Sequence, residues 1–258
     1  MPQNNTISIS IVSHNQGNLV ADLLADLEKY CESRNEVLVT LNVQEELPFS
    51  VERFRFPVRL IKNQRAKGFG ANHNAAFAHA SGEFFCVLNP DIRLERDPFP
   101  ALIEAAKDPR IGVVAPLVLS PEDAVEDNAR KFPTPLSILK KLFGFGAVPE
   151  YQIGPGRFFP DWVAGMFMVF RREAYHHVGG FDERFFLYYE DVDLCARLRL
   201  ANYQVALEPT VHVVHHARRD SHIKPRHFFW HVRSMLNFFC SRVFLKTCFG
   251  RKSAKVVH

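Results

Sequence analysis

The sequence predicts an α/β fold with one open, mostly parallel sheet. Short apolar runs alternate with segments of helical spacing, polar residues or glycines punctuate them, and one run is unbroken enough to be buried on both faces.

The first run, Ile7 to Val12, alternates apolar and small polar residues and ends in the polar break Ser13-His14-Asn15-Gln16-Gly17-Asn18. Leu19, Val20, Leu23, Leu24 and Leu27 then follow at helical spacing, with Asn18 as the expected N-cap. A second strand, Val37 to Leu41, stops at Asn42. A third, Val58 to Ile61, passes through Asn63 and Lys67-Gly68-Phe69-Gly70 into a helix expected over Ala71 to Ala80. Phe84 to Leu88 is the unbroken run, predicted to be a central parallel strand, and it stops at Asn89-Pro90-Asp91. In sheets of this class ligands gather beyond the carboxyl ends of the strands, so Asn15, Asn42, Asn63 and Asp91 are expected to line one crevice.

The second half is less regular. Six prolines between residues 120 and 160 predict a long irregular connection. Beyond it Trp162 to Phe170 reads as a strand. Glu190 to Ala201 reads as a helix with Leu194, Cys195 and Leu198 facing the core. Val205 to Leu207 and Val211 to Val214 read as two short extended segments.

At 258 residues, 47% hydrophobic and 23% charged, the chain is long enough for one substantial core. Five widely spaced cysteines, Cys31, Cys86, Cys195, Cys240 and Cys248, fit buried thiols in a reducing compartment better than a disulfide framework. No apolar stretch approaches the roughly 18 to 20 residues that cross a bilayer, so a cytoplasmic protein is expected, in contact with a membrane only from its face. The net charge is +4, yet from Arg218 onward ten basic residues stand against the single acid Asp220, leaving the body acidic. Phe228, Phe229, Trp230, Leu236 and Phe239 interleave with those cations. That pattern suits a helix or helix pair lying on an anionic membrane, or equally a terminal helix packed on the domain with a solvated basic face. Nucleic acid is not an expected partner, because no recognised module accompanies the charge.

Four motifs carry chemistry. Asp91 ends a buried strand, where a carboxylate is able to bind Mg²⁺ or Mn²⁺ together with substrate phosphates; a Pro-Asp turn is the alternative. Gly68 to Asn74 opens a helix, which brings backbone amides close to a polar ligand or merely makes a tight turn. Glu190, Asp191 and Asp193 crowd a first helical turn. The macrodipole favours acids there, but three exceed what capping needs, their repulsion raises the proton affinity of at least one, and Asp191 and Asp193 point to different sides. Finally His212, His215 and His216 fall within five residues of an extended segment, with His215 opposite the other two. A zinc hydrolase would want a companion His-Glu-x-x-His helix, which is missing.

Taken in order, Ser8 to Asn15, Gly68 to Asn74, Leu88 to Asp91, Gly165 to Arg172, Gly179 to Phe186, Glu190 to Leu194 and the His215 region resemble the family 2 glycosyltransferases of GT-A fold, in particular their rhamnosyltransferase-like branch. The resemblance covers roughly residues 6 to 222. It implies a 1–222 catalytic domain with a 223–258 basic C-terminal helical extension. It also implies an inverting enzyme that uses a nucleotide-diphosphate sugar, a divalent cation and a glycan or lipid-linked acceptor. Carried over by position, Asp191 with Glu190 beside it is catalytic, and Asp91 with His215 or His216 holds the metal. Ser13, Asn15, Asn42, Asn63, Gly68, Phe69, Gly70, Asn74 and Asn89 surround the donor. Two positions depart from the family pattern, since Asn89 and Asn42 stand where relatives carry acids. A sugar nucleotidyltransferase is the competing enzyme, although Ser13 to Asn18 lacks a basic triphosphate loop. A donor-binding assembly protein without turnover is the non-enzymatic reading.

Overall fold

The structure is a computed structural model that describes residues 6–31, 35–142, 151–216 and 225–249. Its centre is an eight-stranded sheet in the order β3-β2-β1-β4-β9-β6-β10-β5. The strands are β1 (Ile7–Ser13), β2 (Glu36–Leu41), β3 (Val58–Lys62), β4 (Phe84–Leu88), β5 (Ile92–Arg93), β6 (Ile111–Leu119), β9 (Phe167–Arg171) and β10 (Gln204–His215). Two further short strands, β7 (Ala129–Arg130) and β8 (Trp162–Val163), pair with each other. β1, β2, β3 and β4 are parallel neighbours, and so are β6 and β10. β9 runs antiparallel to β4 and β6, and β5 antiparallel to β10.

Period two divides the sheet's side chains between two layers. Ile7, Ile9 and Ile11 of β1 face α1 (Gly17–Tyr30) and α3 (Phe99–Ala106), where Val20, Leu23, Leu24, Leu27 and Leu102 are fully buried. Phe85 and Val87 of β4 face the opposite layer, built on α2 (Phe69–Phe77), α5 (Arg172–His177) and α6 (Glu190–Leu200). Each fully buried leucine there stabilises the fold by about 1.5–3 kcal/mol. α4 (Pro135–Leu142) lies in the proline-rich connection, and α7 (Pro225–Phe239) and α8 (Arg242–Phe249) close the described chain.

Several expectations change in detail. β4 is central and wholly buried, but one of its neighbours is antiparallel. Gln16, not Asn18, is the cap of α1. Its amide donates to Ser13 Oγ at 3.2 Å, while Glu45 accepts from the Asn15 and Gly17 amides at 3.2 and 3.1 Å. Trp162 to Phe170 is two strands, because residues 164–166 break away from the sheet to meet α6. The two extended segments at 205–214 are one strand, interrupted where Glu208 pairs with Pro116 and His212 with Leu117. Pro116 has no amide to give the ladder, and β10 slips at that point. α3 and β6 have no counterpart in the sequence reading, since Pro116 interrupts the β6 pattern. Cys240 and Cys248 are exposed, unlike the other three cysteines. The 222/223 boundary falls outside the described residues, and no described helix is long and apolar enough to cross a membrane.

Candidate active site

Pairing register builds the acidic end of the crevice. Asp91 lies between β4 and β5, and β5 is held down by Asp26 of α1, which accepts from Arg93 Nε and Nη2 at 2.7 and 2.8 Å and from the Leu94 amide at 3.0 Å. Because Ile92 pairs with His215 and Arg93 with Val214, the end of β10 is drawn to the end of β4. His215 Nε2 then stands 3.4 Å from Asp91 Oδ2, and the His216 amide donates to the Asp91 carbonyl at 2.8 Å. His215 Nδ1 lies 2.7 Å from Glu126 Oε2. Burial pulls the His215 pKa down, but Asp91 and Glu126 outweigh it and raise it to about 9. Asp91 Oδ1 is buried without a hydrogen-bond partner.

Of the three histidines, His215 is therefore the one that meets Asp91. His216 is exposed and contributes its main chain, while His212 turns to Arg96 at 2.9 Å and Glu95 at 3.6 Å. No group of three or more His, Cys, Asp or Glu side chains among the described residues is arranged to hold a metal. The orphaned Asp91 oxygen and the neighbouring imidazole still fit a cation whose remaining positions are filled by phosphate oxygens and water.

α6 supplies the second acidic group. Asp193 is fully buried and pairs with Arg197 at 2.7 Å, one turn on. Asp191 points elsewhere. It is half-buried, and its Oδ2 accepts from the Gly165 amide at 3.0 Å. Burial raises its pKa, while the Gly165 and Val192 amides and the Arg130 charge act against that rise. Glu190 is 5% exposed, with one oxygen unpartnered. Burial first and the Asp191 charge second push its pKa well up. The glycine allows a close approach, since a Cβ on Gly165 would stand 3.3 Å from the Phe69 ring and 3.7 Å from Asp191 Oδ2.

The amide side of the crevice is organised differently. Asn42 Oδ1 accepts from Asn63 Nδ2 at 3.0 Å and from the Lys67 amide at 2.8 Å, and Asn42 Nδ2 donates to the Lys67 carbonyl at 3.0 Å. Asn63 Nδ2 also donates to Asn72 Oδ1 at 2.7 Å, and Asn72 Nδ2 to the Gly68 carbonyl at 3.0 Å. Asn42 and Asn63 thus tie the ends of β2 and β3 to the loop before α2. The glycines of that loop serve packing, because a Cβ on Gly68 would lie 2.6 Å from the Phe186 carbonyl oxygen and one on Gly70 2.5 Å from Phe181 Cβ. The Phe69 amide donates to that same carbonyl at 2.9 Å. Asn74 is a bracket for the 175–183 segment: it accepts from Tyr175 Oη at 2.8 Å and the Phe181 amide at 2.9 Å and donates to the Phe181 carbonyl. Ser13 Oγ accepts from the Gln16 amide ahead of α1, Asn15 is exposed with φ of 58°, and Asn89 is half-buried beside Asp91, its amide on the Met166 carbonyl. Glu126 and Arg130 are site residues that sequence reasoning missed, and Gly165, which opens a motif of the resemblance, was given no role of its own.

The model of the family described as "Glycosyl transferase family 2" matches residues 8–179, and that described as "N-terminal domain of galactosyltransferase" matches 156–223. The chain is 31% identical over 206 residues to "Rhamnosyltransferase WbbL" of Escherichia coli (strain K12), covering 74% of this chain and 77% of that protein. It is 28% identical over 259 residues to the "N-acetylglucosaminyl-diphospho-decaprenol L-rhamnosyltransferase" of Mycobacterium tuberculosis, covering 92% of this chain and 84% of that one. Among solved structures it resembles the mannosyltransferase PcManGT from Pyrobaculum calidifontis in complex with GDP-Man and Mn²⁺. The TM-score is 0.62 and the identity 18%, over 97% of this chain and 65% of that one. This last likeness bears on the fold alone.

Proposed function

The chain belongs to glycosyl transferase family 2, and on that premise we propose that it inverts a sugar as it moves it from a nucleoside-diphosphate donor to a hydroxyl of a lipid-linked glycan. Rhamnose or a similar hexose is the cargo that the two curated relatives support, and synthesis of a cell-surface polysaccharide is the setting. Asp191 is the base. Its half-buried carboxylate is aimed by the Gly165 amide, and a raised proton affinity suits it to take the acceptor's proton. As that O–H bond breaks, the acceptor oxygen forms a bond to the anomeric carbon from the face opposite the diphosphate. The bond to the diphosphate oxygen breaks and that oxygen keeps the electron pair.

Asp91 and His215 are the residues that would hold a divalent cation, Mg²⁺ or Mn²⁺. The cation would supply charge neutralisation for the leaving diphosphate. Glu126 fixes the ring of His215 through Nδ1 and leaves Nε2 for the metal, the usual division of labour between a ligand and its outer partner. The observation that carries the reading is the placement of two acids with different environments at one end of the sheet, Asp91 with an unpartnered oxygen and Asp191 with a raised pKa.

Asp191→Asn tests it. Turnover falls by about 10² to 10⁴ while donor affinity, measured by calorimetry, changes little. Turnover within a factor of a few of the unsubstituted protein would remove Asp191 from the role.

A further inference from the structure

α7 and α8 stand outside this chemistry, and Pro225–Phe249 contains no Asp or Glu. The inner face of α7 repeats every three or four residues, at His227, Trp230, His231, Ser234 and Phe238. It covers the run that leads into the catalytic acids: Trp230 lies 4.7 Å from Phe186 ring to ring, Ser234 Oγ donates to the Leu187 carbonyl at 2.9 Å, and Phe238 is fully buried 5.7 Å from Tyr189. His227 Nδ1 is 3.2 Å from Tyr188 Oη, and the His231 ring lies 5.3 Å from that of Tyr188, tilted, and 5.5 Å from that of Tyr189, edge-on. Those two tyrosines have φ of 70° and 68°, a left-handed backbone that non-glycine residues hold only when their surroundings impose it. Glu190 and Asp191 follow directly.

The outer face has the opposite character. Phe228 is 74% exposed, Phe229 61% and Leu236 55%, and α8 adds Leu245 at 49%. Arg226, Arg233, Arg242 and Lys246 are exposed among them. α8 is fastened to the same body, with Phe244 packed on Phe238 and Phe239 at 5.5 and 4.9 Å. Exposed apolar side chains interleaved with four cations, and no acid on either helix, complement an anionic bilayer. There the rings enter the headgroup boundary and the cations meet lipid phosphates.

We propose that the outer face of α7 and α8 docks on an anionic lipid bilayer, and that the inner face holds the Tyr188–Tyr189 turn so that Asp191 is presented to acceptors carried in that bilayer. The second half rests on the lipid-linked acceptor proposed above; the docking does not.

Flotation of the full chain with phosphatidylcholine vesicles, neutral or carrying about one third phosphatidylglycerol, tests the docking. The chain floats with the anionic vesicles, and added salt weakens it. Phe229→Ser/Leu236→Ser and Arg233→Glu/Lys246→Glu each lower partitioning about tenfold or more. Both variants keep the unfolding temperature and the turnover on a water-soluble acceptor, but lose turnover on a vesicle-borne one in step with partitioning. Failure of the unsubstituted chain to float, equal flotation with neutral vesicles, or variants that float undiminished would overturn the docking. So would a change from dimer to monomer in the variants by sedimentation, which would assign the face to a second copy of the chain. If the chain floats as expected yet transfers sugar to neither acceptor, the proposed reaction fails and the docking stands.

Discussion

Two polar clusters at the same end of the sheet are built on opposite terms. Asn42, Asn63 and Asn72 are neutral, and their amides bond to one another and to the main chain of Lys67 and Gly68. Asp91, His215, Glu126, Asp191 and Glu190 are ionisable, and Asp91 Oδ1 and Glu190 Oε2 have no hydrogen-bond partner. A closed network holds strands and loops in place, because any amide left unpaired costs more than its bond gains. An open one keeps capacity for something that arrives later. Residue type alone assigns both clusters to the ligand; their hydrogen bonding sets them apart.

That contrast can be broken at either end. Asp91→Ala carries the largest effect: Mn²⁺-dependent donor affinity falls by more than about 100-fold, and the unfolding temperature without metal falls as well, since His215 loses the carboxylate that favours its charged form. Equal donor affinity with and without Mn²⁺ in both proteins would return Asp91 to the frame. Glu126→Gln weakens Mn²⁺ binding about 10- to 100-fold, read by calorimetry or by paramagnetic titration, and leaves the fold intact. Asn72→Ala is the converse. It costs about 1–3 kcal/mol in denaturant unfolding through the orphaned Asn63 and Gly68 groups, with donor affinity per folded molecule unchanged. A loss of affinity without a loss of stability would show that the asparagines contact the donor after all.

The effect that vanishes at neutral pH concerns His73, buried on α2 with Nδ1 2.8 Å from Ser10 Oγ. Burial lowers its pKa to about 3. The unfolded chain takes up this proton near the ordinary histidine value and the folded chain does not. The stabilisation is therefore full above about pH 6.5 and is lost as pH falls from there toward 3, by at most about 1.4 kcal/mol per pH unit. A His73→Phe variant should show a flatter acid limb of unfolding temperature; identical limbs would show that the histidine is protonated in the fold.

Legibility in the sequence followed the range of the interaction. β4, its stop at Asp91 and the split roles of Asp191 and Asp193 are local consequences of periodicity, and the structure has them in those places. The choice among His212, His215 and His216 is not local, because it depends on which residue of β10 faces Ile92 across an antiparallel pair. The bonding of the asparagines is hidden for the same reason: Asn42 finds its partners 21 and 25 residues away, so its hydrogen bonds are invisible to pattern. Glu126 and Arg130 lie in the proline-rich connection, where neither period applies, and a lone acid or base there carries no signal until the fold brings it to His215 or Asp191.

The slip in β10 has a consequence for reading related chains. Between Glu208 and His212 the strand advances four residues while β6 advances one, so Pro209, Thr210 and Val211 are looped out of the ladder. What meets Asp91 is thus decided by how much chain is stored in that loop rather than by distance along the sequence from α6. A relative that stored one residue fewer would deliver its equivalent imidazole from one position earlier, and its address would be legible only as the residue opposite Ile92.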